Sequence, residues 1–251
     1  MPSAQHPVFK QPADPGVSIW RYMDFTKFVS MLESRSLYFA RSDKLGDPFE
    51  GSYSRGNQLL RPLVYKEIYD KVKPDMIERM DQSKAQMAKW QRKWTFINCW
   101  HMNPGESAGM WKLYAKTNEA IAVRSSYFRL ANVLDDQTYV GTVEYIDFER
   151  DWMPEGNTFY PFVHKRRSFA HENEVRALFT QLPTTDQGFD MSTEPPETGI
   201  EKTIDVAQLV EQVYVAPTAP GWFMGLVQQV CKTYGLEKPV MQSSLDAQPF
   251  Y

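Results

Sequence analysis

The hydrophobic rhythm of the chain changes every few residues, and the changes mark the elements. SIWRYM, residues 18–23, has the composition of a short strand. In the following DFTKFVSMLESRS, Phe25, Phe28, Val29 and Leu32 fall at i, i+3, i+4 and i+7. That is the stripe of a helix packed on one side, with Asp24 placed as its N-cap. SLYFAR (36–41) predicts a strand and SDKLGDPFEG (42–51) a turn-rich loop. Residues 58–94 are helical in pattern, broken near Pro74, and carry few large apolar positions before Met87, Trp90 and Trp94. This stretch is the best candidate for an inserted or lid-like helical segment.

TFINCWH (95–101) predicts a strand, ESAGMWKLYA (106–115) a short helix and EAIAVRS (119–125) a further strand. Residues 138–148 alternate in the β manner, whereas Phe159, Phe162, Val163, Arg166 and Phe169 recur at helical intervals within 157–170. NEVRALFTQL (173–182) alternates as a strand, and the polar stretch 183–202 predicts a hairpin loop or surface excursion. A strand at 211–217, a helix at 221–235 ending on Gly235, and an edge strand in PVMQSSL complete the pattern. Six to eight strands interleaved with short helices, without a regular βαβ rhythm, predict an α+β fold. Its core would be a mixed, mostly antiparallel sheet with short packing helices and the 58–94 insertion. A flexible arm over 1–17 and a single domain over 18–251 are the simplest division.

Composition narrows the class. The 251 residues are 42% hydrophobic and 24% charged, ordinary for a globular chain able to bury a sizeable core. The net charge of −3 supplies no global attraction to nucleic acid, although a local basic patch would still be compatible with it. Cys99 and Cys231, the only cysteines, have no metal spacing and fit a reducing compartment. Neither a signal-peptide pattern at the N-terminus nor a bilayer-length apolar run is present, so the expectation is a cytoplasmic protein without a membrane partner.

Three clusters carry candidate chemistry. If 172–179 is extended, Glu172, Glu174, Arg176 and Leu178 share one face at about 7 Å spacing. Asn173, Val175, Ala177 and Phe179 share the other, which is the core side. The charged face is then either a solvated surface with Glu–Arg pairs or the floor of a charged cleft. Lys165, Arg166 and Arg167, just upstream, are suited to gripping phosphates. In LGDPFEG, Asp47 and Glu50 flank Phe49 directly after a strand; turn chemistry and a site at a strand end are both open. In GMWKLYA, Met110, Trp111 and Tyr114 form an aromatic face for packing or for stacking on a flat ring. A glycine-rich phosphate loop, a GxSxG elbow and zinc spacing are all lacking, and HENE (171–174) is followed by Val175 rather than by a second histidine of a zinc-protease helix. The residue types therefore nominate no metal site.

The order of segments adds a resemblance. RYM, LYFARSDKLGDPFEG, NCWHMN, SAGMWKLYA, YIDF and KRRSFAHENEVR, spread over residues 18 to about 217, resemble the bacterial and phage family called domain of unknown function 2971. More distantly, a strand with Arg, a helix, a strand, an aromatic middle and a late strand with Glu resembles the ADP-ribosyltransferase fold, although no Ser-Thr-Ser strand motif accompanies it. That resemblance implies NAD as substrate, with Arg21 contacting it, Tyr38 or the Trp111/Tyr114 pair stacking on nicotinamide, and Glu174 or Glu172 orienting the ribose or the acceptor. Tyr22, Arg41, Asp47, Glu50, Lys165 and Arg166 complete the implied nucleotide-binding set. The acceptor would be nucleic acid or protein, in a toxin or phage-defence setting. Two other readings remain open: a metal-dependent nucleic-acid-processing enzyme built on Asp47, Glu50, Glu172, Glu174 and Lys165, and a non-catalytic nucleotide- or nucleic-acid-binding module.

Overall fold

A computed structural model describes residues 5–115 and 117–248. The chain forms β1 (Ser18–Asp24), α1 (Phe25–Ser34) and β2 (Ser36–Arg41), then a helical excursion of α2 (Arg55–Val64), α3 (Lys66–Tyr69) and α4 (Pro74–Arg92). It returns through β3 (Thr95–Met102), α5 (Ala108–Tyr114), β4 (Ala120–Ser126), α6 (Tyr127–Val133), β5 (Tyr139–Thr142) and β6 (Glu144–Ile146). Next come α7 (Tyr160–Val163), β7 (His164–Arg166), β8 (Glu174–Thr180) and the small hairpin β9 (Thr184–Thr185) and β10 (Gly188–Phe189). The last elements are β11 (Gly199–Thr203), α8 (Val206–Leu209), β12 (Gln212–Val215), α9 (Gly221–Thr233) and β13 (Val240–Gln242). No helix among the described residues is long and apolar enough to cross a membrane.

The fold is α+β, as the sequence pattern predicts. Nine strands make one sheet in the order β11-β2-β3-β1-β4-β12-β13, with β8 on β3 and β5 on β8. Every pairing in it is antiparallel except β12 with β13. The central feature is β3. One of its edges is taken by β8 from Thr95 to His101, so β1 and β2 must share the other. β2 pairs with Phe96 and Ile97, and β1 pairs with His101 and Met102. Continuing each register by two residues would put Tyr38 and Tyr22 both opposite Cys99. One edge holds one partner at each position, so the two strands part, and the sheet opens between them.

Side chains replace some of the ladder bonds that the parting forgoes. Asn98 Nδ2 donates to the Tyr38 carbonyl at 2.8 Å, and the buried Trp100 indole N–H donates to Asn98 Oδ1 at 2.7 Å. The helix α1 bridges the parting strands. Its Phe28, Met31 and Leu32 are buried against the sheet, and Arg35 in the left-handed region (φ 49°) ends it and starts β2. Together with residues of α6, α8 and α9 these build the main core. On the opposite side, Trp20, Tyr22, Met110 and Trp111 cluster under α5, and Val8, Phe9, Phe162 and Val163 cluster beside Leu178.

Several expectations are corrected. The segment 157–170 is not one helix: β7 pairs in parallel with β6, which a helix cannot do, and a 3-10 turn (Arg167–Glu172) follows. The strand β8 has no solvated face, because Glu174 to Phe179 are all buried. The end of the polar stretch 183–202 is the strand β11, paired on β2. Within the leading arm Val8 and Phe9 are buried, while most of its other described residues are exposed. The α2–α4 excursion is anchored at its base by Asn57, which donates to Met153 O and accepts from Met153 N. None of its residues lines the cleft described below.

The turn Asp47–Gly51 tests this packing. Gly51 has φ +68°, and a Cβ there would stand 2.4 Å from Phe162 Cε1. Gly46, in the same loop, would meet nothing within 4 Å. Gly51→Ala is expected to lower stability by about 1–3 kcal/mol in urea denaturation, and Gly46→Ala by less than about 1 kcal/mol. Equal midpoints for the two variants would contradict the packing of this turn.

Candidate active site

The parting of β1 and β2 leaves a cleft of about 550 Å³, within the range of small-molecule sites. Six residues singled out from sequence line it: Arg21, Tyr22, Tyr38, Tyr114, Glu172 and Glu174. They come from β1, β2, α5 and the turn into β8, elements far apart in sequence that meet only because β3 joins β8 on one side to the split on the other. The flank of α1 turned away from its buried stripe adds Lys27, Ser30 and Ser34.

Arg21 is half-buried and has no carboxylate within 4.0 Å among the described residues. Its one hydrogen bond crosses the split to the Tyr38 carbonyl at 3.4 Å. Burial lowers its pKa to about 10, so the guanidinium remains charged near neutrality. A desolvated cation without a partner, facing a cavity, is suited to an anion.

The opposite end of the cleft holds the acidic pair. Asn173 takes a left-handed conformation (φ 37°) between the 3-10 turn and β8, and this kink brings the side chains of Glu172 and Glu174 together. Lys165 Nζ donates to Glu174 at 2.9 Å and also to Glu172. Arg176, two residues along the same strand face, donates to Glu174, to the Phe162 carbonyl at 2.7 Å and, through both terminal nitrogens, to Glu50. All five charged residues are buried.

Three carboxylates against two cations leave one negative charge too many for a buried cluster, and a bound proton relieves it. Burial and the hydrogen bond shared with Glu174 raise Glu172 from 4.5 to about 7. Burial also works to raise Glu174, but Arg176, the hydrogen bond from Glu172 and Lys165 outweigh it and hold Glu174 well below the carboxylate range. The pair thus contains one titratable acid and one permanent carboxylate. His101 Nδ1–H donates to the Glu172 carbonyl at 2.6 Å, and the Glu174 N–H donates to the Tyr145 hydroxyl at 2.9 Å, so the backbone of the pair is pinned as well. Burial, reinforced by Glu172, pushes the Tyr114 hydroxyl far above its ordinary value.

Other expected site residues lie elsewhere. Trp111 is buried, donates its indole N–H to Glu106 at 3.0 Å and packs edge-on against Tyr22, so only Tyr114 of that pair reaches the cleft. Arg41 is bound to Asp43 and to the carbonyls of Pro196 and Glu197, where it staples the segment leading into β11. Asp47 accepts from Arg166, whose guanidinium also lies 4.5 Å over the Phe49 ring. Glu50 is held by Arg176, and Lys165 by the glutamates. Arg167 faces Asp151. The basic run 165–167 is therefore committed to internal pairs rather than to a phosphate.

Sequence reasoning passed over Lys27, Ser30, Ser34, Cys99 and Glu201, all of which line the cleft. The polar flank of α1 was available as the complement of its apolar stripe; Glu201 sits in a segment whose polarity resembles a loop. Among the described residues no three of His, Cys, Asp and Glu are grouped as metal ligands. In comparisons with known proteins, no family model, curated protein or solved structure matches the chain significantly.

The shared proton has a measurable consequence. Between about pH 4.5 and 7 the folded protein holds a proton on Glu172 that the unfolded chain has released, so stability falls as pH rises through that window. Relative to Glu172→Gln, the wild type should lose roughly 1–3 kcal/mol between pH 5 and 7.5. Urea denaturation of both proteins across this range measures it; parallel curves would rule out proton sharing at this pair.

Proposed function

We propose that this chain is an ADP-ribosyltransferase-like enzyme that binds NAD in the cleft and breaks its nicotinamide–ribose bond. One observation carries the reading: an arginine without a carboxylate partner and two glutamates drawn together on Lys165 open onto a single cleft flanked by the exposed rings of Tyr38 and Tyr114. The guanidinium suits the pyrophosphate, the tyrosines suit a flat leaving ring, and the carboxylates suit a ribose. The resemblance to the ADP-ribosyltransferase fold rests on the chain order of β1 with Arg21, α1, β2 and a late β8 with Glu174.

In this reading the two glutamates have different tasks. As the C1′–N bond breaks, its electron pair leaves with nicotinamide and positive charge grows on the ribose. Glu174, held ionised by Arg176 and Lys165, in this reading stabilises that charge. Glu172, poised near neutrality, in its ionised form takes the proton that the acceptor nucleophile loses as the new bond to C1′ forms. Acceptors of the nucleic-acid or protein class, and a toxin or phage-defence role, belong to the same proposal. The reading as a Mg²⁺-dependent nuclease is less well supported, because Lys165, Arg166 and Arg176 already engage the carboxylates it needs.

Nicotinamide release from NAD tests the assignment. Glu174→Gln is expected to lower the rate by about 100-fold or more while NAD binding changes only a few-fold. Arg21→Gln should instead weaken NAD binding by about 10-fold or more. The wild-type rate should rise with pH through a limb near 7 that Glu172→Gln abolishes, and EDTA should have no effect. Undiminished turnover by a folded Glu174→Gln protein would remove the assignment, as would a loss with EDTA that Mg²⁺ restores.

A further inference from the structure

The charges along the cleft form a sequence. Glu174 lies on β8 and Glu201 on β11, where Glu201 pairs with Tyr38 in the ladder. Between these strands lie β3 and β2, so the two ends are three strand spacings apart, about 14 Å across the sheet. Arg21 reaches the Tyr38 backbone, which places its guanidinium at β2, between the two acidic ends. Lys27 and Ser30 line the α1 wall beside it; Lys27 has an exposed contact of 3.4 Å with Asp24. Among the described residues, Glu201 has no cation within 4.0 Å. The cleft therefore has carboxylates at both ends and cationic groups between them.

That pattern is complementary to a molecule with a hydroxyl-rich group at each end and an anionic linker in the middle. We propose that the cleft takes a pyrophosphate-linked dinucleotide whole, and that Glu201 receives the 2′- and 3′-hydroxyls of its second ribose. This rests on the reading of the Glu172/Glu174 end as the site of glycosidic cleavage. A ribose diol donates two O–H groups to one carboxylate, a pairing that selects a free 2′-hydroxyl in other dinucleotide sites. A 2′-phosphate would bring a charge of about −1.5 to −2 against Glu201. Glu201 is thus a specificity-determining residue: the enzyme accepts a dinucleotide with a free 2′-hydroxyl and rejects its 2′-phosphorylated counterpart.

Calorimetric titration with ADP-ribose and with 2′-phospho-ADP-ribose tests this without turnover. The wild type is expected to prefer ADP-ribose by about 10-fold or more, Glu201→Gln to bring the ratio within about 3-fold, and Glu201→Arg to invert it. Because Glu201 is exposed on an edge strand, these variants should keep the wild-type melting point. A folded Glu201→Gln protein with the full preference, or a wild type that binds both ligands equally, would overturn the role of Glu201. Binding of ADP-ribose with the expected Glu201 dependence, but without nicotinamide release from NAD, would sink the enzymatic reading and leave the dinucleotide site. Failure of the wild type to bind ADP-ribose would overturn both.

Discussion

A strand edge can hold one partner at each residue, and in this fold two strands are directed to the same edge of β3. Had β1 and β2 been on opposite edges, the sheet would close without a gap. β8 already fills the other edge from Thr95 to His101, so divergence is the only arrangement left. The consequences are local and specific. The residues of β3 that neither strand reaches, Asn98 to Trp100, lie beneath the opening, and the side chains of Asn98 and Arg21 reach the Tyr38 carbonyl where ladder bonds are missing. The cleft is therefore a product of topology, and most of its lining comes from strands and the helices α1 and α5, which holds those residues to a narrow range of positions.

The same argument explains why charge enters the core. Pairing with β3 and β5 takes both edges of β8, and the residues of its polar face are buried as well. Glu174 and Arg176 on that face must be neutralised where they stand, and Glu50, Lys165 and Glu172 are brought in from three other segments to do so. The network also ties the Asp47–Gly51 turn to the sheet, since Glu50 meets Arg176 and Asp47 meets Arg166. Buried ion pairs are weak contributors to stability compared with apolar packing of the same volume. Retention of five such groups, two of which line the cleft, fits a functional requirement better than a structural one.

How far these features were legible in the sequence depends on the range of the interaction that decides them. Local periodicity gave β1, α1, β2, β3, α5, β4, β8 and α9 to within a few residues, because each has its own apolar rhythm. It failed for 157–170, where helical spacing of aromatics is overridden by pairing of His164–Arg166 with Glu144–Ile146. It failed again for β11, whose polar residues lie on an exposed edge and leave no apolar signature. Among site residues, Arg21, Tyr38 and Glu174 were chosen by type and order, and they do line one cleft. Lys165 and Arg166 have the same residue types as a phosphate grip; the partners of Lys165 are the nearby Glu172 and Glu174, but that of Arg166, Asp47, sits 119 positions away in the chain. Pairing at that distance leaves no trace in local composition.

The proton on Glu172 links these two levels. With Glu174 held by Arg176 and Lys165, any carboxylate added beside it meets a site already carrying its full negative charge, so the added group must titrate near neutrality. The left-handed Asn173 is what places Glu172 there, since a regular strand would keep successive same-face side chains about 7 Å apart. A backbone kink between two glutamates thus converts an ordinary alternating pattern into a pair with divided roles. The placement of Lys165 sets its limits: the ammonium binds both carboxylates, so it steadies the ionised partner without forcing the second proton off. That balance is local to the kink, whereas the position of Glu201 is set by the strand order of the sheet.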